Sequence, residues 1–310
     1  MNVRFLFSVD GIGMNGKRAS RTAEYMAFFR AMESARPEGR WLFVDPFAER
    51  FVGAGLRRAV SASRWGGFTA LVNRYADWRL PGARTSAIAR TKLIDDALVE
   101  TLREEVSQVV ILGAGFDCRA YRLPAMEGAK VFEVDHPSTL ARKLEVLLEI
   151  LPEIPETVRS VEIDFNREML PEVLARAGFQ LSRPTVFLWE GVTNYLTAEA
   201  VDSVLRFVAT CRAGSRIIFT YVHDGLLDGS VQFDGGERIL QDVRRLGEPW
   251  TFGIVPAKLG EFLGRRGLGL DGDLSAREYR RKYFGESARK MTGYEFYHVA
   301  FAHVLHRGGS

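Results

Sequence analysis

Apolar residues recur along this chain in two different rhythms. From about residue 106 onward, short continuous runs of Val, Ile, Leu and Phe alternate with longer stretches of helical spacing. The runs fall at 106–113, 130–135, 159–164, 185–190 and 215–222. A continuous apolar run of that length, bounded by turn residues, fits a strand buried on both faces. Strand–helix alternation implies right-handed crossovers and a parallel sheet. The helix after the second run spans 137–150, and the helix after the fourth starts at Thr197, an N-cap residue. After the fifth run the pattern loosens: glycines at 225, 229, 235 and 236 precede a helical stretch at 237–247, so 223–255 reads as an insertion over a site. A helix over 256–266, a strand over 268–274 and a helix to about 284 follow. Residues 297–306 alternate and fit a last strand inserted antiparallel.

Before residue 100 the pattern is helical only. One helix starts at Ser20 and stops before Pro37, Asp45 caps a helix whose first residue is Pro46, and 56–80 is helical up to the break at Pro81-Gly82. In the stretch from 83 to 98, Ile88, Thr91, Leu93, Ile94 and Leu98 suit one helix face. The chain therefore divides into a helical cap or lid, 1–100, and a sheet-bearing ligand domain, 101–310.

The first strand runs into Gly113-Ala114-Gly115, where glycine permits a sharp turn and a close ligand. The third glycine of the dinucleotide fingerprint is missing, because Phe116, Asp117 and Cys118 follow. Twenty residues on, the second strand ends in Asp135, beside His136 and Pro137. An acid there can accept hydrogen bonds from both ribose hydroxyls of a nucleoside, or can cap the next helix. In open α/β sheets ligands sit beyond the carboxyl ends of strands, a rule that also selects Asp164 and Phe165, Glu190, and Tyr221 with His223. Acids at three successive strand ends would gather negative charge at one crevice, repelling a phosphate-rich cofactor and attracting a cationic one. S-adenosylmethionine fits this, with Asp164 and Phe165 for the adenine. Arg90 reads either as a clamp for its carboxylate or as a surface arginine.

Composition narrows the partners. Lys and Arg number 42 against 39 Asp and Glu, a net charge of +3, which implies no nucleic-acid partner. Two cysteines in unrelated contexts, Cys118 and Cys211, suggest a reducing compartment and no disulfide framework. No apolar run is long enough to cross a membrane, and the first residues turn polar too quickly for a signal peptide, so a cytoplasmic protein without a membrane partner is expected. No cluster has metal-ligand spacing, and no metal is expected. The oligomeric state is left open.

Three segments together resemble the leucine carboxyl methyltransferase family: Val110-Ile111-Leu112-Gly113-Ala114-Gly115-Phe116-Asp117-Cys118-Arg119-Ala120-Tyr121-Arg122, Phe132-Glu133-Val134-Asp135, and Glu190-Gly191-Val192-Thr193-Asn194-Tyr195-Leu196. The likeness is greater to its bacterial branch of S-adenosylmethionine-dependent O-methyltransferases, some tied to secondary metabolism. It extends to Asp45-Pro46-Phe47-Ala48, to Arg90-Thr91-Lys92-Leu93-Ile94-Asp95-Asp96 and to Gly247-Glu248-Pro249-Trp250-Thr251-Phe252-Gly253. The resemblance implies a class I methyltransferase fold: a Rossmann-like α/β sheet of seven mostly parallel strands with an antiparallel last strand, under an N-terminal helical lid. It implies Arg90 on the cofactor carboxylate and Gly113, Ala114, Gly115 and Asp117 around the methionine part. Asp135 and His136 would lie at the ribose, Asp164 and Phe165 at the adenine, Glu190 at the amino group, and Lys17 in the lid. The sequence departs from the family pattern at Cys118 and at Thr193-Asn194, which would face the transferred methyl.

Methyl transfer from a sulfonium chiefly needs alignment and exclusion of water. A carboxylate acceptor needs no base, whereas a hydroxyl gains roughly 10²–10⁴-fold from one. The candidates are His223, His136 and, as a positioning donor, Tyr195; His136 reads equally as a helix cap and His223 as a loop residue. Tyr221, Trp250 and Phe252 read as acceptor-pocket walls or as packing. The acceptor is expected to be a small molecule, with S-adenosylhomocysteine as product. Two rival readings are a non-catalytic S-adenosylmethionine sensor and an NAD-dependent oxidoreductase.

Overall fold

The computed structural model describes residues 21–64, 66–79, 81–164 and 168–306. The expected Ser20 cap, Lys17 and Phe165 lie outside them. Seven strands form one sheet: β1 (Gln108–Leu112), β2 (Lys130–Asp135), β3 (Val158–Glu162), β4 (Thr185–Trp189), β5 (Arg216–Val222), β6 (Leu268–Ser275) and β7 (Tyr297–Val304). Their order is β3-β2-β1-β4-β5-β7-β6. β1 pairs in parallel with β2 and β4, β2 with β3, and β4 with β5; β7 runs antiparallel between β5 and β6. The crossovers leave β1 at the point where strand order reverses, which is where open sheets bind ligands.

The helices are α1 (Arg21–Ser34), α2 (Ala54–Ser63), α3 (Gly66–Arg79), α4 (Ala83–Leu102), α5 (Arg119–Arg122), α6 (Pro137–Leu148), α7 (Leu170–Arg176), α8 (Ala198–Val208), α9 (Asp224–Leu227), α10 (Gly236–Arg245), α11 (Leu259–Gly264) and α12 (Ala276–Phe284). Local chemistry sets their ends. His136 and Pro137 open α6, Thr197 caps α8 by accepting from Ala200 N, and Ser275 with Glu278 forms a capping box on α12. Asp45 accepts from the backbone N–H groups of Phe47 and Ala48 and starts the single turn Ala48–Phe51.

Both faces of the sheet are buried, and successive residues of a strand serve opposite layers. Val110, Leu112, Phe187 and Trp189 pack under α7, α8 and α11, whereas Val109, Ile111, Val186 and Leu188 pack against α4 and α12. That explains why β1 and β4 read as unbroken apolar runs. α4 is buried nearly all round, not on one face: Ile94 and Leu98 meet the sheet layer, while Ala83 and Ala87 meet α1–α3. Helix α4 thus belongs to the layer on the sheet and to the N-terminal helical cluster together.

Two clusters of buried charge bear on the site. Lys143 Nζ, 1 % exposed, donates to Glu133 at 2.8 Å, and Tyr121 Oη donates to the other Glu133 oxygen at 2.9 Å. Nearby, four arginines and four carboxylates alternate. Asp45 holds Arg30 at 2.9 Å and Arg122 at 3.8 Å, and Arg122 reaches Asp95 at 2.8 Å. Asp95 holds Arg119 at 2.7 Å, Arg119 holds Asp117 at 2.5 Å and Glu190 at 2.8 Å, and Glu190 holds Arg90 at 2.7 Å. The chain of pairs ties α1, α4, α5, the loop after β1 and the end of β4. Burial works against the ionised Asp117 carboxylate, but Arg119, Lys143 and Arg30 outweigh it and hold its pKa down at about 2.

Lys143→Met should destabilise the protein by about 3–5 kcal/mol, because Glu133 is left as a buried unpaired acid, and adding Glu133→Leu should recover much of the loss. Urea unfolding of the single and double variants checks this; a single variant as stable as the parent would contradict it. The Asp117 carboxylate is depressed from its ordinary pKa of 3.8 to about 2, so its contribution is complete above pH 4 and lost as pH falls through 2. Asp117→Asn should therefore cost about 2 kcal/mol at neutral pH and remove that part of the acid dependence. Unfolding free energies across that range measure it, and parallel curves for parent and variant would refute it.

Candidate active site

A cavity of about 570 Å³ opens over the carboxyl ends of β1, β2 and β4. Its floor is the turn Gly113–Asp117. Gly113 N and Ala114 N both donate to Val134 O, and Gly115 N donates to Asp135 Oδ2 at 2.6 Å, which stitches the turn to the tip of β2. Gly113 has a φ of +65°, and a Cβ there would lie 2.3 Å from Val192 Cγ2. The glycine is therefore required by the fold as well as by any ligand. Asp135 Oδ1 also accepts from His136 N at 2.6 Å. Both its oxygens have backbone partners, and each keeps a lone pair for a ribose hydroxyl. Burial still raises its pKa, against these two hydrogen bonds.

Opposite the turn stands Glu190, just beyond β4. Its Oε1 accepts from Arg90 Nε and its Oε2 from Arg119 Nη1. Burial disfavours its charge, but Arg119 and Arg90 dominate and lower its pKa. Arg90 also lies over the Tyr297 ring at 4.7 Å and touches Met26 Sδ at 3.4 Å. Arg119 Nη2 is buried without a hydrogen-bond partner. Of the three strand-tip acids expected to gather negative charge, Glu190 is neutralised by arginines from α4 and α5, Asp135 is held by backbone N–H groups, and Asp164 lies outside the cavity lining; Asp117 is likewise paired with Arg119.

Of the sequence-predicted residues, Arg90, Gly113, Ala114, Gly115, Asp117, Asp135, Glu190 and Tyr195 line the cavity together. His136 does not: it is exposed and caps α6, its Nδ1 accepting from Ser138 N, and Thr139 lines the cavity instead. Asp164 lies outside the lining, though Ile163 N donates to Asp135 O and keeps this segment beside the β2 tip. His223 lies outside it too, and its Nδ1 caps α9 by accepting from Gly225 N at 3.0 Å. Tyr221 and Phe252 are core residues, and the Tyr221 hydroxyl donates to Asp273. Thr193 turns inward, donating to Thr220 O at 2.5 Å, while Asn194 lines the cavity.

The far end of the cavity is built from the turn after β4 and from residues 247–251. Thr251 N donates to Asn194 O at 2.8 Å, and Thr251 Oγ1 donates to Leu196 O at 2.9 Å, which joins the two segments. α1 is fastened to them by Thr22 Oγ1, which donates to Glu248 at 2.9 Å. Trp250 stands edge-on to Tyr195. Burial, eased by the neighbouring Trp250 N–H and Thr22 hydroxyl, pushes the Tyr195 phenol up to about 12, so it is a protonated donor at neutral pH and no base. Sequence reasoning gave no role to Arg119, Glu248, Tyr294 or Tyr297. Arg119 carried a signal in its place four residues after Gly115, and Glu248 in the segment Gly247-Glu248-Pro249-Trp250 that shares the family resemblance.

The family model for leucine carboxyl methyltransferases matches residues 23–209. A relative from Mycolicibacterium gilvum named "putative S-adenosyl-L-methionine-dependent methyltransferase" is 36% identical over 238 residues, 74% of this chain and 71% of its own length. One of the same description from Parafrankia sp. is 35% identical over 269 residues, 84% of this chain and 81% of its own. Among solved structures, a "putative methyltransferase" from Thermobifida fusca aligns over 96% of this chain and 100% of its own with a TM-score of 0.61 at 18% identity, a likeness of fold. The chain belongs to the leucine carboxyl methyltransferase family, a family of S-adenosylmethionine-dependent methyltransferases.

Proposed function

We propose that this protein transfers a methyl group from S-adenosylmethionine to an oxygen atom of a small molecule, a secondary metabolite being the expected class. The observation that carries the reading is the Arg90–Glu190–Arg119 arrangement facing a glycine turn, with Asp135 at its other end. An α-amino acid group is a zwitterion, and these residues offer it both signs at once. Glu190 receives the ammonium, while the guanidinium of Arg90 and the unpartnered Arg119 Nη2 serve the carboxylate. Asp135 takes the ribose hydroxyls, and Asp164, on the next strand outward, serves the adenine. Gly113, whose turn packs against Val192, lies in the cavity lining beside the methionine part.

When bound, S-adenosylmethionine supplies an electrophilic methyl on a sulfonium, which an in-line nucleophile displaces. The residues of the chain then have three tasks. Tyr195 donates a hydrogen bond and positions the acceptor. Glu248, held by Thr22, is the carboxylate at that end of the cavity and takes the proton of a hydroxyl acceptor. The helical segment before β1 supplies Thr22, Met26 and Arg90 and closes the cavity against water as a lid. A nicotinamide dinucleotide fits poorly, since the fingerprint's third glycine, which close helix–strand packing at the pyrophosphate requires, is absent after Gly115. A pure sensor would have no use for the Tyr195–Glu248 end.

Calorimetry with S-adenosylhomocysteine and adenosine separates the two halves of the cofactor site. Arg90→Met should weaken S-adenosylhomocysteine by about tenfold or more, through loss of a charge-assisted contact, and leave adenosine within about twofold. Asp135→Ala should weaken both by about 1–3 kcal/mol. Equal losses of both ligands in Arg90→Met, or unchanged affinities in Asp135→Ala, would contradict the assignment.

A further inference from the structure

We propose, resting on the cofactor site assigned above, that Tyr297 is a positioning residue: the face of its ring holds the Arg90 guanidinium ready for the carboxylate of the cofactor's amino-acid half. Tyr297 opens β7, the antiparallel strand, where it pairs with Val222. It is 4 % exposed and lines the cavity together with Arg90 and Glu190. The guanidinium carbon of Arg90 lies over the ring, 4.7 Å from its centre. The electron-rich face of an aromatic ring attracts a cation, and does so more strongly where water is excluded. Arg90 is itself buried, so the contact works in the favourable regime.

A ring suits this task better than another acid would. Glu190 Oε1 accepts from Arg90 Nε, and Met26 Sδ makes only a long contact with Nη2. A second carboxylate against the guanidinium would bind N–H groups that a ligand carboxylate needs. An aromatic face attracts the charge and leaves the donors in the guanidinium plane for the ligand. The ring is also fixed in place. Its hydroxyl shares a hydrogen bond with Thr220 Oγ1 at 3.3 Å, and the same oxygen accepts from Gly191 N, next to Glu190, at 2.8 Å. Tyr294 stacks on Tyr297 at 5.9 Å with 29° between the rings, and Trp250 meets it edge-on at 6.4 Å. Tyr294 has a φ of +62°, and Arg280 anchors the two residues before it by donating to the carbonyls of Thr292 and Gly293. Arg90 is thus held by the ring of Tyr297 and by Glu190, and the Thr220 hydroxyl links the segments that carry these two partners.

The test titrates the full chain calorimetrically with S-adenosylhomocysteine and with adenosine. Tyr297→Phe keeps the aromatic face and should bind S-adenosylhomocysteine within about twofold of the parent. Tyr297→Leu should weaken it about fivefold or more and leave adenosine within about twofold, which also shows that the variant folds. Tyr297→3,4,5-trifluorophenylalanine keeps a ring of nearly the same size but loses the electron-rich face, so its affinity should fall close to that of the leucine variant. With Arg90→Met in the same chain, each of these changes should shift S-adenosylhomocysteine by less than about twofold, because the cation is gone. The proposal is overturned by a trifluorinated variant that binds like Tyr297→Phe, by equal losses of both ligands, or by the same losses with and without Arg90. A parent that does not bind S-adenosylhomocysteine, or an Arg90→Met variant that binds it as tightly as the parent, would instead sink the cofactor assignment on which the proposal rests.

Discussion

Glu190 is gripped from two sides, by Arg90 from α4 and by Arg119 from the turn after β1. The two arginines are almost wholly removed from water and Glu190 is 18 % exposed, and the arginines would be poorly placed alone. Paired, they fix three separate pieces of chain around one point: the end of β4, the glycine turn and the last N-terminal helix. The pairs continue through Asp117, Asp95, Arg122, Asp45 and Arg30, so the same electrostatic constraint that shapes the site also fastens α1 against the sheet domain.

This arrangement has a chemical consequence. A pocket of bare carboxylates would attract any cation, whereas an alternating row presents positive and negative groups at fixed separations. Such a row distinguishes a zwitterionic amino-acid group from a plain cation or anion. In the proposed reading, fold and ligand recognition use the same side chains, and the arginines that make burial of the acids tolerable are also those that would hold the ligand. Among the described residues, Tyr195, Trp250 and Tyr294 line the opposite end together with Glu248, so that end of the cavity is mostly aromatic.

Much of the scaffold was legible in the sequence. The parallel strands announce themselves because both faces of β1 and β4 are covered, which leaves no polar positions to interrupt the runs. The antiparallel last strand shows in its alternation, and Asp135 in its spacing from the glycine turn. The charge network was not legible. Glu190 and Arg90 are 100 residues apart and Glu190 and Arg119 are 71 apart, and no local periodicity says which way an arginine points. Counting acids at strand tips without their partners therefore missed that Glu190 is neutralised. His136 and His223 were misplaced for a related reason: both follow a strand end, but each spends its ring nitrogen on the N-terminus of the next helix.

The central claim is that the Arg90–Glu190–Arg119 cluster opposite Asp135 holds an amino acid and a ribose at once. A crystal structure of the protein with S-adenosylhomocysteine tests it most directly. The account predicts the amino-acid group between Glu190 and the two arginines and the ribose hydroxyls on Asp135. Density for the ligand elsewhere, or reversed so that the ribose meets Glu190, would contradict it.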